Sequence, residues 1–314
     1  MTTRSLLDRA GTLLGLILVA AIFGALVGRQ FFAPANVELM ARQTAIVCTA
    51  ALGMTIVIAL GGIDLSVGSM ISLATVVIAL LLRRDASPIV AALGGIGAAA
   101  LCGLLNGVLI TRLRLVPFIV TLGTMLVIRG AAKGLAEERR IEAPMTWLND
   151  MLRTAPGQLG LPGGIWTVIV LALVVAGLLR YTVFGRHVFA IGSNERMARL
   201  CGVPISRTKI VVYTLSAALT GVAGLLQFSK LAVGDPTVAI GLELDVIAAV
   251  IIGGGSLLGG RGTVAGTVMG AGIMAIIQVG CTQKGLASWV QQILTGAIIV
   301  AAVALDRVRT SREE

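Results

Sequence analysis

Apolar and polar positions separate along this chain into long blocks. Apolar runs occupy residues 10–28, 44–60, 65–82, 86–111, 210–229, 263–283 and 285–305, and shorter ones occupy 115–128, 165–179 and 246–258. A helix that crosses a bilayer needs about 20 apolar residues, within a range of about 17–25. The pattern therefore predicts about ten membrane segments. The three short runs are expected to be broken or re-entrant helices, tolerated where protein or a cavity buries their free backbone groups. The expected fold is all-α and polytopic, one transmembrane domain over residues 1–314 without soluble domain, linker or low-complexity tract.

Composition agrees. The chain is 57% hydrophobic and 13% charged, with mean hydropathy +0.98. A soluble domain carries about 25% charged residues. The N-terminal apolar run follows a basic start, yet no A-x-A cleavage site ends it, so it reads as the first membrane helix.

The net charge is +10, which in a soluble protein would suggest nucleic acid. Here the basic residues sit in short loops between apolar runs, and neither stacked aromatics nor a long basic stripe accompanies them. Nucleic-acid binding is excluded. The charges instead set orientation, since loops rich in Lys and Arg stay in the cytoplasm. Residues 180–209 hold Arg180, Arg186, Arg196, Arg199, Arg207 and Lys209 against Glu195 alone. Arg4 and Arg9 mark the start, and Arg307, Arg309 and Arg312 the tail. With ten segments, this loop and both termini fall on the cytoplasmic side. The stretch 130–164 has nearly balanced charges and three prolines, and falls outside.

Catalytic chemistry is missing. The single histidine, His187, lies in the basic loop, and no paired carboxylates or Ser/His and Cys/His sets recommend themselves. The four cysteines form no CxxC pair, so neither metal nor disulfide is expected. The stretch GSLLGGRG, 255–262, imitates a phosphate-binding loop at Gly255 and Gly260, but Arg261 and Gly262 replace the required Lys and hydroxyl residue. No catalytic, cofactor or metal residue is assigned. If ATP is used, another chain hydrolyses it.

One acid stands out. Asp64 in LGGIDLSVGSM has no charged residue within ten positions on either side. An unpaired carboxylate in hydrocarbon costs at least about 2.5–3.5 kcal/mol. The expected compensation is a helix break. Gly61 and Gly62 end one helix, the next begins at Leu65, and Asp64 caps it by accepting N–H bonds from Ser66 or Val67. Ser66 and Ser69 add donors, and Gly68 permits close packing. A second stretch, DVIAAVIIGGGSLLGGRG, likewise runs from an apolar helix into a Gly-rich break. Paired Gly-interrupted segments point to a transport site in repeat-built transporters. Gly262, Gly266 and Gly270, and also Gly103 and Gly107, have the i, i+4 spacing of close helix packing.

Within FGRHVFAIGSNERMARLCGVPISRTK, 184–209, Ser193 or Asn194 is placed to cap a short helix with Glu195 in its first turn. Ala198, Leu200 and Cys201 give it a small apolar face, Gly202 stops it and Pro204 follows. Such a helix either lies at the lipid surface or serves as a peg for a cytoplasmic partner.

Three long ordered segments resemble the permease subunits of bacterial ABC sugar importers, the ribose/xylose/galactose group, over about residues 35–306. They are LGMTIVIALGGIDLSVGSMISLA, the 184–209 loop, and DPTVAIGLELDVIAAVIIGGGSLLGGRGTVAGTVMGA. The resemblance implies an inner-membrane permease that forms the path for a monosaccharide or related polyol. It also implies a second permease chain, identical or paralogous, two cytoplasmic ATPase subunits, and a periplasmic binding protein that delivers substrate. The coupling helix would cover Asn194, Glu195, Arg196, Met197, Ala198, Arg199 and Leu200. Ser72, Thr75, Asn106, Gln227 and Gln278 would either line the path or bond a neighbouring helix. Two other readings stand beside it: a related permease for branched-chain amino acids or nucleosides, and a stand-alone secondary transporter for which Asp64 is the strong coupling candidate.

Overall fold

The computed structural model describes residues 3–153 and 162–311, with side chains over 11–153 and 162–304. Arg4, Arg9, Arg307, Arg309 and Arg312, used above to orient the chain, lie outside the described side chains. The helices are α1 (Thr3–Val27), α2 (Pro34–Ala59), α3 (Val67–Arg83), α4 (Pro88–Arg112), α5 (Pro117–Leu135), α6 (Gly163–Tyr181), α7 (Val183–Ser193), α8 (Glu195–Leu200), α9 (Ile205–Leu231), α10 (Leu242–Ile252), α11 (Val264–Gln283) and α12 (Ser288–Ser311). Six of them, α2, α4, α5, α6, α9 and α11, are long and apolar enough to cross a membrane. α1, α3 and α12 carry the shorter apolar stretches Gly11–Val27, Val67–Arg83 and Ser288–Ala304. This is an all-α, multi-pass membrane protein.

Local chemistry starts these helices where they start. Pro34, Pro88 and Pro117 stand in the first turn of α2, α4 and α5, where no N–H is needed. Ser87, Thr182 and Thr263 accept N–H bonds at the starts of α4, α7 and α11. The short apolar run 246–258 is shifted. α10 begins at Leu242 and ends at Ile252, because Gly254, at φ +88°, turns the chain away. Its 11 residues span about 16 Å at 1.5 Å per residue, half of a hydrocarbon core of about 30 Å. The shift also draws Glu243 and Asp245 into a helix, so Asp64 is not alone among the buried acids.

α2 is the central post. It is buried on every side from Ala45 to Ala59, as expected of a helix that is apolar all round. It packs against α9, α11, α10 and α6. α4 lies on α9 with Gly103 against the backbone of Tyr213 and Gly107 against Ile210. Gly266 and Gly270 meet Gly253 and Ala249 in the same way. Gly262 is not part of that stripe, since α11 begins only at Val264. The outer faces of α4, α5 and α6 present Leu93, Leu105, Val127 and Leu173 to the surroundings.

The bundle has two distinct ends. Gln43, Lys230 and Gln278 meet at one, beside the strands β1 (Ile141–Glu142) and β2 (Val233–Gly234), which pair antiparallel. Ala59, Gly192 and Gly260 meet at the other.

Candidate functional site

The break between α2 and α3 is longer than the sequence suggests, running from Leu60 to Ser66. α2 closes through Gly61 at φ +87°, and α3 starts at Val67 with Ser66 as its cap residue. Asp64 is therefore not the N-cap. It lies two residues earlier, fully buried, and its Oδ1 accepts the Ser66 backbone N–H at 2.9 Å and the Ser66 hydroxyl. This is an Asx turn, a side chain standing in for a backbone turn. Asn106 of α4 donates to Ser66 Oγ at 3.0 Å and ties the turn to its neighbour. Ser69 does not join in: its hydroxyl has no partner among the described residues. Gly68 does what its size allows, since a Cβ would overlap Ala239 O and the Glu243 carboxylate.

The two Gly-rich breaks, far apart in sequence, come together. Gly260 N donates to Ala59 O at 2.9 Å, and Gly259 lies against Gly61. Between them sits Gly192, near the end of α7. A Cβ on Gly192 would overlap both the Ala59 carbonyl oxygen and the Gly260 amide nitrogen. Three backbones thus touch at one point without a side chain between them.

α7 hands directly over to α8. Asn194 is the cap, accepting the Met197 N–H at 3.0 Å. Glu195 bonds Arg199 at 3.1 Å along α8 and Lys209 of α9 at 2.8 Å. The Lys209 hydrogen bond, and behind it the charges of Lys209 and Arg199, outweigh partial burial and hold the Glu195 carboxyl below its ordinary 4.5. The apolar face expected from Ala198, Leu200 and Cys201 is not one face. Only Ala198 turns inward, while Leu200 and Met197 are 80% and 55% exposed and Cys201 is exposed. In so short a helix, one turn separates the buried stripe from the free one. Arg196 is exposed as well.

The polar residues inside apolar runs divide. Ser72 and Thr75 of α3 bond the Asp235 carbonyl at 3.1 and 3.4 Å, and Thr75 Oγ1 accepts the Asp235 N–H at 3.2 Å. The Asp235 side chain accepts from Thr237 and, at 2.9 Å, from Arg140. Burial raises its pKa, but the Thr237 bonds and the Arg140 guanidinium together outweigh that and hold it below the usual range. Gln227 is buried in α9. Gln278 belongs to a set that the sequence did not point out. Lys230 Nζ donates to Gln43 Oε1 at 2.7 Å, Gln43 Nε2 to Gln278 Oε1 at 2.9 Å, and Gln278 Nε2 to Asp245 Oδ2. These four residues, from α9, α2, α11 and α10, border a cavity of about 690 Å³. Charge at the very ends of apolar runs was the available signal for Lys230 and Asp245. Arg129, which donates to Val238 O at 2.7 Å and ties α5 to the chain before α10, sits just past its run in the same way.

Residues 36–303 match the family described as branched-chain amino acid transport system / permease component. The chain is 35% identical to the ribose import permease protein of Bacillus subtilis (strain 168), over 97% of this chain and 94% of that one. It is 35% identical to an L-arabinose ABC transporter permease protein of Azospirillum brasilense, covering 98% and 90%. It is 34% identical to the fructose import permease protein of Rhizobium meliloti, covering 94% and 84%. No solved structure matches significantly.

Proposed function

This chain belongs to the permease family of branched-chain amino acid transport systems, and from that premise we propose that it is the membrane subunit of an ATP-driven importer for a monosaccharide or related polyol. The observation that carries the sugar reading is the near end-to-end similarity, at 34–35% identity, to three permeases named for ribose, L-arabinose and fructose. It outweighs the amino-acid alternative in the family description, because the likeness to sugar permeases extends over at least 94% of this chain.

The subunit sits in the bacterial inner membrane as one domain with both termini in the cytoplasm. The ten segments are α1 to α6, α9, α10 with its following loop, α11 and α12. α7 and α8 then face the cytoplasm, and the Lys230 end faces a periplasmic binding protein. Two permease chains form the path, as a homodimer or a pair of paralogues. The chain does not hydrolyse ATP itself; a separate ATPase subunit docks on Asn194–Leu200. Exposed Met197 and Leu200 supply an apolar knob, and Glu195 clamps α8 to α9 through Lys209.

Motion of α8 then has a short route inward. α7 joins it through Asn194 alone, and Gly192 presses on Ala59 at the end of α2 and on Gly260 after α10. One push reaches both helix breaks. Asp64 holds the first break in register through Ser66, a positioning role that needs no proton exchange.

The test is reconstitution of the complex with its ATPase subunit and binding protein in vesicles. Uptake of a sugar that requires ATP and the binding protein is the expected result. Uptake that persists without any ATPase subunit, or a binding protein stabilised by amino acids and by no sugar, sinks the reading.

A further inference from the structure

We infer that the cavity beside Lys230, Gln43, Gln278 and Asp245 is a recognition site where a neutral polyol is held on its way across the membrane; this rests on the sugar-permease reading above. The four side chains form an ordered chain of hydrogen bonds from an ammonium, through two amides, to a carboxylate. The charged ends dictate how each amide points. Lys230 can only donate, so Gln43 must offer it oxygen. Asp245 can only accept while ionised, so Gln278 must offer it nitrogen. The wall is thus pre-organised, with donors and acceptors alternating in a fixed order.

That wall is not used up by its own bonds. An ammonium has three donors and Lys230 Nζ gives one to Gln43. Asp245 engages Gln278 through Oδ2 and keeps a second oxygen. A vicinal diol both donates and accepts, and it complements such a wall. Across the cavity, α12 contributes Gln292 and Thr295, while Leu39 and Leu244 offer apolar surface to the C–H face of a sugar ring. The volume of about 690 Å³ lies within the roughly 300–1,000 Å³ usual for small-molecule sites. The network borders this open space.

Two variants of the reconstituted complex test the site with ribose, L-arabinose and D-fructose as probes. In Gly296→Trp, an indole grows from α12 into the cavity that Gly296 lines, at a position where a Cβ meets nothing within 4 Å. Uptake should vanish while the complex stays assembled and basal ATP hydrolysis continues. Gln43→Leu cuts the chain in the middle. Sugar uptake should fall at least about fivefold, since Gln43 makes two hydrogen bonds in the chain and one net hydrogen bond alone is worth about that factor, and by different factors for the three sugars. Normal uptake in Gly296→Trp, or equal losses for all three sugars in Gln43→Leu, overturns the site. So does loss of uptake that coincides with dissociation of the permease pair, which would make this surface an interface between copies. A wild-type complex that imports no sugar refutes the permease reading itself, and this inference with it.

Discussion

The backbone amide of Gly260 donates to the carbonyl of Ala59 at 2.9 Å, and Gly192 packs on both. A methyl group at 192 has nowhere to go, because its neighbours are backbone and not the ends of flexible side chains. Gly192→Ala should therefore abolish ATP-driven uptake and lower the thermal midpoint of the complex. Gly202→Ala is the control. Gly202 sits at φ +78° with nothing near a new Cβ, so it pays only the left-handed strain of about 1–2 kcal/mol. Equal behaviour of the two variants in a thermal-shift and uptake comparison would contradict the junction.

Asp64→Asn keeps an oxygen to accept the Ser66 N–H and should fold, assemble and retain most transport. Asp64→Leu leaves that buried N–H and the Ser66 hydroxyl without their acceptor, at about 1–3 kcal/mol for each orphaned group. It should fail to accumulate in the membrane. An assembled Asn variant without transport would show that the charge itself works in the cycle.

The Glu195 carboxyl has a lowered pKa in the folded chain. Its contribution is complete above the ordinary value of 4.5 and is lost as pH falls through the lower, folded value. The side chain is 40% exposed, so solvent screens the pairs and they are worth at most about 1 kcal/mol. Glu195→Gln should accordingly leave the thermal midpoint nearly unchanged at pH 7 while loosening α8. A spin label on α8 should report higher mobility in Glu195→Gln at pH 7, and in wild type only once the pH falls through the lowered carboxyl pKa of the folded chain. Identical spectra for both proteins at pH 7 would argue against the clamp.

Cys201 follows α8 directly and is exposed, whereas Cys48 and Cys281 are buried and Cys102 is half-buried. A maleimide should label the permease at Cys201 first, as peptide mapping would read. Docking the ATPase subunit should slow that labelling at least about tenfold if α8 is the coupling peg, since reaction needs an accessible thiol. Unchanged labelling in the docked complex would move the interface elsewhere.

The membrane segments were legible because hydrophobicity is a local, additive property. Each apolar run overlaps a helix, and α10 announced itself as too short to cross, but the short runs 115–128 and 165–179 did not foretell broken helices: α5 and α6 are unbroken helices of 19 residues, long enough to span. The Gly-rich breaks were legible as breaks, but not as partners, since no pattern along a chain says that Gly192 will meet Ala59 and Gly260. Asp64 was legible as an acid needing donors. Its placement three residues before α3 was not, because Leu65 looks as helical as Val67. The Lys230–Gln43–Gln278–Asp245 set was the least legible. Its members come from four helices, and the run 246–258 stops one residue short of Asp245.

The matched charges of that set have an electrical consequence. Lys230 and Asp245 cancel in place through two neutral amides. Carrying one elementary charge through the bilayer costs or yields about 2.3 kcal/mol per 100 mV, and a neutral sugar gliding past a wall with no net charge carries none. Import should run at one rate in polarised and depolarised vesicles at fixed ATP, leaving the cell free to feed through this protein when its membrane voltage has collapsed.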